Sequence, residues 1–575
     1  MKQNKKNDIA KVVATFVVLL LLNYVSSFWF LRFDLTQEKR YTLSDATKKI
    51  LRNLEDVVYF KIYLEGEFPA GFKKLRNETR EMLNEFKAYA GKKIEYEFIN
   101  PSASSDKKTR EDIYRQLYKQ GLLPTDLSVK EDDGVSNKII WPGAILSYKN
   151  KEIPLQLLKS QMGVPPEQIV NGSIESLEYE LINGINKITQ QNVMKVAFIE
   201  GHGELNSLQT ADIAKTLAEY YVVDRITLNG QLSTLTERAE NDSGNFIVKR
   251  KYETLIIAKP SNAFSENDKF IIDQHLMYGG KILYLIDPVF AEMDSLETSE
   301  FTMAIPIDLK LDDQLFTYGA RINFTLVQDL QAAPIPVVTG RIGTQIKTEM
   351  FPWLFFPLFM PSTSHPIINN LNVVKGEFVS TIDTIAKPEI KKTVLLQSSR
   401  YTKILNAPVR ISLGMLRIEP NMQQFNKPQQ PVAVLLEGEF NSVFENRIPK
   451  SVENSKEIAF KNKSVNTKII VVGDGDMIKN HIKKTGNEYL PLGYDRFTKQ
   501  QYGNKDFILN CVNFLCDDNG LMEVRSRKLT LRLLDQALIK EQRTKWQALN
   551  LLLPILIVIA FGITQYIIRK KRYTQ

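Results

Sequence analysis

The chain has 575 residues, too many for one ordinary domain, and its 43% hydrophobic and 25% charged residues are the balance of a globular protein rather than a disordered one. The net charge of +9 is spread along the chain, with the densest basic runs at the two ends, and no basic stripe interleaved with aromatics marks a nucleic-acid partner. Two cysteines, Cys511 and Cys516, exclude a disulfide framework and a four-cysteine metal site.

Residues 1–11 carry Lys2, Lys5, Lys6 and Lys11 and precede an apolar run, Val12 to Phe30. At ~1.5 Å per residue that run reaches roughly 28 Å, enough for a membrane helix over 12–31. Asn23, Ser26 and Ser27 weaken it, Phe28, Trp29 and Phe30 form an aromatic belt, and no A-x-A-like cleavage site follows, so an uncleaved anchor is expected rather than a signal peptide.

Residues 32–192 follow as a first soluble domain. Leu43, Ala46, Ile50, Leu51 and Leu54 share a helical face, and Thr42 with Asp45 has the spacing of a helix start. Val57–Leu64 suits a buried strand, Phe72 to Tyr89 an amphipathic helix, Ile94–Phe98 a half-buried strand and 107–120 a polar helix. Extended stretches are expected at 127–129, 139–148 and 152–155, and a helix over 173–189. The order β-α-β-α-β-β-α is that of a thioredoxin-like domain. Its redox chemistry needs a cysteine pair at the first helix, where this chain has Glu65-Gly66-Glu67-Phe68-Pro69, so a binding or spacing module is expected.

A second domain is expected over 193–520. Strands at 193–200, 221–228, 252–258 and 281–287 alternate with helices at 208–220 and 264–278, the pattern of a doubly wound α/β sheet. The pattern resumes at 468–472 and in a helix over 506–516, which leaves 300–464 as a large insertion or separate lobe. Within it Phe351 to Phe359 is rich in proline and aromatics, either a core segment bent at its prolines or a face for a partner or membrane.

In open α/β sheets ligands bind beyond the carboxyl ends of the strands. Three such ends carry polar groups, which makes His202, Glu204, Asp287, Asp474 and Asp476 a candidate ligand or partner site. His202, Glu204, Asp287 and Asp474 are also a conceivable metal-ligand set. Glycine and aspartate are equally what tight turns and helix caps demand, and a structural turn is the favoured reading. No catalytic residue, metal or cofactor is expected. Cys511 and Cys516 are spaced as core residues of a helix, His275, His365 and His481 have no motif around them, and no Walker A sequence is present, so ATP hydrolysis falls to another subunit.

Residues 521–547 place Leu529, Leu533, Leu534 and Leu538 between basic residues. They fit an amphipathic helix lying in the membrane interface or docked on a partner, or a plain linker. A second span is expected at 548–568, followed by the basic tail 569–575. The basic flanks put both termini in the cytoplasm of a bacterium and everything between the anchors in the periplasm, with the protein in the inner membrane.

FDLTQEKRYTLSDATKKIL after the first anchor, VAFIEGHGE, KILYLIDP, IIVVGDGDMIKN with NKDFILNCVNFL, and the C-terminal anchor together resemble the gliding-motility accessory proteins of bacterial ABC transporters, often labelled substrate-binding. The resemblance covers nearly the whole chain. It implies a multi-span ABC permease subunit (GldF-like) and a cytoplasmic ATPase subunit (GldA-like) as partners, besides membrane lipid. It also implies an α/β domain similar to glutamine amidotransferases without their catalytic residues. The function expected is that of a non-enzymatic transporter subunit. The rivals are a solute- or glycan-binding component with its ligand at the GHGE loop, a metal-dependent hydrolase using His202 and Glu204, and a structural scaffold of the cell envelope.

Overall fold

Ser44 opens helix α1 (Asp45–Arg52) of the soluble part: its backbone is extended and its Oγ accepts the Thr47 N–H at 3.1 Å. The start suggested by Thr42 and Asp45 therefore lies two residues too early, and Asp45 instead sits in the first turn, paired with Lys48 at 3.1 Å. The structure, a computed structural model, describes residues 13–21, 42–131, 134–159, 165–190, 193–240, 246–342, 345–361, 365–483, 486, 488–517, 520–525 and 536–573. The chain divides into two units, 1–528 and 529–575.

After α1 come β1 (Val58–Ile62), α2 (Ala70–Ala90), β2 (Ile94–Phe98), α3 (Lys107–Lys119), a hairpin (Thr125–Glu131, Gly134–Ile140), β3 (Gly143–Tyr148) and β4 (Lys151–Gln156). The sheet order is β2-β1-β3-β4, with β2 parallel to β1 and the other two pairings antiparallel. Val58, Phe60 and Ile62 alternate inward from β1, and α2 buries Phe72, Leu75, Leu83 and Phe86. The single helix expected over 173–189 is two, α4 (Pro166–Glu175) and α5 (Leu177–Thr189). Pro166 suits the first turn of α4, and the break falls at Ser176, whose Oγ donates to the Ser173 carbonyl at 3.1 Å.

The second sheet contains β5 (Lys195–Glu200), β6 (Val222–Thr227), β7 (Thr254–Ala258), β8 (Lys281–Leu285), β9 (Ile390–Gln397), β10 (Pro431–Gly438) and β11 (Thr467–Val472). Its order is β9-β10-β11-β8-β7-β5-β6. The last five strands in that order run parallel, while β9 and β10 are antiparallel additions. The stretch 300–464 thus supplies two strands of this sheet. The helices are α6 (Ala211–Leu217), α7 (Glu266–Met277), α8 (Asp312–Tyr318) and α9 (Asn504–Cys516). One face packs Val196, Phe198, Leu283 and Val472 with Cys511 and Phe507, in a cluster continuous with the core of the first sheet. The other packs Ile199, Ile257, Tyr284 and Val471 with Ile272 and Leu315. A parallel sheet covered on both faces needs strands apolar throughout, which is why these segments carry continuous rather than alternating apolar runs.

The Pro/Phe-rich stretch is the second strand of a long hairpin, Ala332–Ile342 with Gln345–Phe359. Pro334 faces Pro352 and Ala332 faces Pro357. Each proline removes a ladder donor, and the register shifts beside Pro334. Trp353, Phe355, Phe356 and Phe359 are buried, so this stretch is core.

In the C-terminal unit α10 (Gln536–Tyr573) contains Pro554, and its portion Gln542–Lys571 is long and apolar enough to cross a membrane. The span expected at 548–568 falls inside it. Of the span expected at 12–31, residues 13–21 are helical and the others lie outside the described residues, as do 526–535 of the expected juxtamembrane helix.

Candidate functional site

The carboxyl ends of β5, β7, β8 and β11 lie along one edge of the parallel sheet. The chain leaves β5 for β6 on one side and returns to β7 on the other, so the edge reverses direction between β5 and β7. Sheets of this class hold ligands at that crevice. Here it is filled by the chain itself. The His202 carbonyl accepts the N–H groups of both Ser261 and Asn262 at 2.9 Å. Gly203 has φ +72°, and a Cβ on it would stand 2.1 Å from Ser261 Oγ, so only glycine lets the two loops meet this closely.

His202 is buried, its ring stacked on Phe264 with centroids 3.8 Å apart and planes at 12°. Nδ1 lies 3.2 Å from Glu204 Oε1 and Nε2 3.2 Å from Asp268 Oδ2. The other Glu204 oxygen accepts the His202 N–H at 2.7 Å. Burial opposes the charged ring, but the hydrogen bonds and charges of Glu204 and then Asp268 outweigh it and hold the imidazole pKa above its ordinary 6.5. Asp268 also belongs to the cap of α7: Ser265 Oγ accepts its N–H at 3.1 Å and donates to its Oδ2 at 2.8 Å. His202 is therefore a clamp between the loop after β5 and the start of α7, with both ring nitrogens engaged.

The other three candidate residues form a separate cluster around Lys259. Its Nζ lies 3.1 Å from Asp287 Oδ2 and 2.6 Å from Asp476 Oδ2. Asp474 accepts the N–H groups of Glu377 and Asp476, each at 2.8 Å, and Lys479 reaches Asp476 at 3.3 Å. Burial pushes the Asp287 carboxyl up to about 6 against the pull of Lys259. It raises Asp474 well above the carboxylate range, with Asp287 and Asp476 adding to the rise. For Asp476 burial acts the same way, but Lys259 and Lys479 win and hold it below its ordinary value. The cluster thus balances its own charge.

Beside it opens a cleft of about 300 Å³, lined by residues that include Lys375, Glu377, Asp476, Lys479, His481 and Asp495. Lys375 bridges Glu377 at 3.0 Å and Asp495 at 2.9 Å and is pushed up to about 12 by those carboxylates, against its burial.

The five candidate residues therefore form two separate groups rather than one, and Asp476 of the second borders the cleft. Among the described residues no three His, Cys, Asp or Glu side chains are arranged to hold a metal ion, and the set His202, Glu204, Asp287 and Asp474 is not assembled as one. Sequence reading missed Lys259, Asp268 and Lys375. A signal existed for Lys259, the first residue past the buried strand LIIA, the position that aligns strand-end loops. Cys511 and Cys516 are buried in α9, and burial raises the Cys516 thiol to about 12, which leaves it no nucleophile at neutral pH.

Residues 194–511 match the family described as an ABC-type uncharacterized transport system, over half of the chain, and the protein belongs to this family of transport auxiliary components. Residues 37–147 match a domain of unknown function. A relative from Borreliella burgdorferi, itself described as an uncharacterized protein, is 20% identical over 456 residues, 78% of this chain and 81% of its own. A solved structure, the mmIFT52 N-terminal domain, covers 56% of this chain and 98% of its own at 12% identity, with a TM-score of 0.30.

Proposed function

We propose that the protein is a non-enzymatic, GldG-like subunit of an ABC transporter complex that serves bacterial gliding motility. Its partners are a GldF-like permease and a GldA-like cytoplasmic ATPase. Two anchors, 12–31 and 548–568, hold a thioredoxin-like domain (32–192) and an amidotransferase-like α/β domain (193–520) in the periplasm, and ATP hydrolysis in the partner moves this ectodomain. Membership of a transport auxiliary family supports the association. The observation that carries the non-enzymatic part is the closure of the strand-end loops, where His202 and Lys259 are both spent on internal carboxylates. The same closure weighs against a solute bound at the GHGE loop.

The β2-β1-β3-β4 order supports the thioredoxin-like reading of the first domain. In the loop after β1, Glu65 binds Arg76 at 2.6 Å and Arg80 at 3.3 Å where a redox pair would lie, which fits a binding or spacing module better than an oxidoreductase. The apolar helix at Gln542–Lys571 supports the second anchor.

The test is to solubilise the full chain from its native membrane in mild detergent and identify what copurifies by mass spectrometry. A multi-span permease together with a Walker-type ATPase is the expected result. Recovery of the chain alone, even after crosslinking, overturns the reading in favour of a scaffold.

A further inference from the structure

A cavity of about 890 Å³, sharing no lining residue with the strand-end loops, lies between α8 and two short strand pairs, 320–322 with 382–384 and 325–329 with 402–406. Its volume falls in the ~300–1,000 Å³ range of sites for small ligands. Two large rings line it and stay open to solvent, Phe316 at 49% and Phe324 at 38% exposure, a cost unless something covers them.

The polar part of the wall is paired within itself. Asn323 Nδ2 donates to Thr381 Oγ1 at 3.1 Å, Arg321 pairs with Asp383 at 2.5 Å, and Arg447 pairs with Asp313 at 2.8 Å. Asp313 is anchored from behind by Lys269 at 2.8 Å. Each guanidinium already faces a carboxylate, and Asp312 adds a further acid to the lining, so the wall offers directed donors and acceptors and no uncompensated positive charge. A phosphate or nucleotide needs uncompensated positive charge here, and a free amino acid needs two opposed charges left unpaired. A sugar ring needs neither. Its C–H face lies on an aromatic ring and its hydroxyls reach planar amide, carboxylate and guanidinium edges.

We propose that this cavity binds a neutral oligosaccharide, with hexose rings laid on Phe316 and Phe324 and hydroxyls held by Asn323, Asn406 and the Arg321–Asp383 pair. The site stands apart from the GHGE loop and does not depend on the transporter reading.

The test uses the full-length chain in detergent on an array of neutral, N-acetylated and uronic acid hexose oligomers, with saturation-transfer difference NMR on whichever oligomer is retained. Retention of neutral or N-acetylated oligomers is expected. F316A/F324A should weaken it about tenfold or more, while Phe316→Trp keeps it. Asn406→Ala, on the exposed rim, should weaken binding several-fold without removing an apolar side chain, and it decides the matter if the double variant melts early. Retention of none of the neutral oligomers, of uronic acids only, or binding unchanged in both the aromatic and the Asn406 variants overturns the proposal.

Discussion

Lys259 and Asp476 meet at 2.6 Å across the end of β8, the strand that lies between the two from which their loops emerge. Asp287, at the end of β8 itself, completes the bridge at 3.1 Å, so one ammonium neutralises acids from two neighbouring strand ends.

Removing that ammonium strands buried negative charge. Lys259→Met should destabilise the chain by about 3–5 kcal/mol, the range for breaking a buried pair from one side. The measurement is the urea midpoint of the full chain in detergent. Adding Asp287→Asn and Asp476→Asn to Lys259→Met should recover most of the loss, because the unpaired charge is then gone. A midpoint that stays put in the single variant would mean that Lys479 alone satisfies the cluster.

His202 gives a pH signature with a definite sign. Its folded pKa is raised above 6.5, so its contribution to stability is fully present below 6.5 and is lost as pH rises through the folded value. The melting temperature should therefore fall faster above about pH 6.5 in the natural chain than in His202→Gln, which carries no titrating ring. Parallel curves for the two chains over that interval would show that the ring is not charged between Glu204 and Asp268.

How much of this was legible follows from where each signal sits. The central parallel strands β5, β7, β8 and β11 declare themselves as short, mostly apolar runs, and three of them are followed within two residues by glycine or aspartate, which also makes the GHGE turn visible. Non-local pairings leave no such mark. VAVLLEG (432–438) is plainly a strand in the sequence, yet nothing local says that it pairs with β11 rather than belonging to a separate lobe. Asp268 was hidden differently: Ser265 and Asp268 already explain each other as a helix cap, so the carboxylate's second duty to His202, 66 residues away, has no local trace. Lys259 belongs to no motif, and only its position one step beyond a strand end distinguishes it. The split at Ser176 escaped because the apolar stripe runs on across it from Ile174 to Leu177 and Leu181.

Burial rather than chemistry sets the two thiols. Cys511 and Cys516 are shielded in α9, with Cys516 Sγ 3.3 Å from Thr254 Oγ1 and its thiol raised to about 12. Neither should react with a maleimide in the native chain over hours at neutral pH, and both should react at once in urea. Stoichiometric native labelling at either position, read by intact mass, would place that cysteine outside the core.

The hairpin aromatics should behave as core. Trp353 is 1% exposed and packs with Phe355 at 5.3 Å between ring centroids. Trp353→Ala should cost about 3–5 kcal/mol. Val338, 62% exposed on the facing strand, should tolerate Ser within about 0.5 kcal/mol. Equal small effects at both positions, read from urea midpoints, would return the stretch to the role of a partner-facing surface.

Gly203 tests the closed crevice most directly, because two separable costs meet there. A side chain at φ +72° is strained, at about 1–2 kcal/mol. The added Cβ also displaces Ser261 Oγ, which donates to the Gly203 carbonyl at 3.1 Å, and losing that bond adds about 0.5–1.5 kcal/mol. Gly203→Ala should therefore lose about 2–3 kcal/mol in the urea midpoint. Joined to Ser261→Ala, which clears the hydroxyl from the Cβ, the second alanine should add less than it costs alone, leaving the strain as the residue of the effect. Gly340 is the control: a Cβ there meets nothing within 4 Å and its φ is not positive, so Gly340→Ala should change stability by no more than about 0.5 kcal/mol. If Gly203→Ala were as silent as Gly340→Ala, the loops after β5 and β7 would not be in contact, and the crevice between them would be open to a ligand after all.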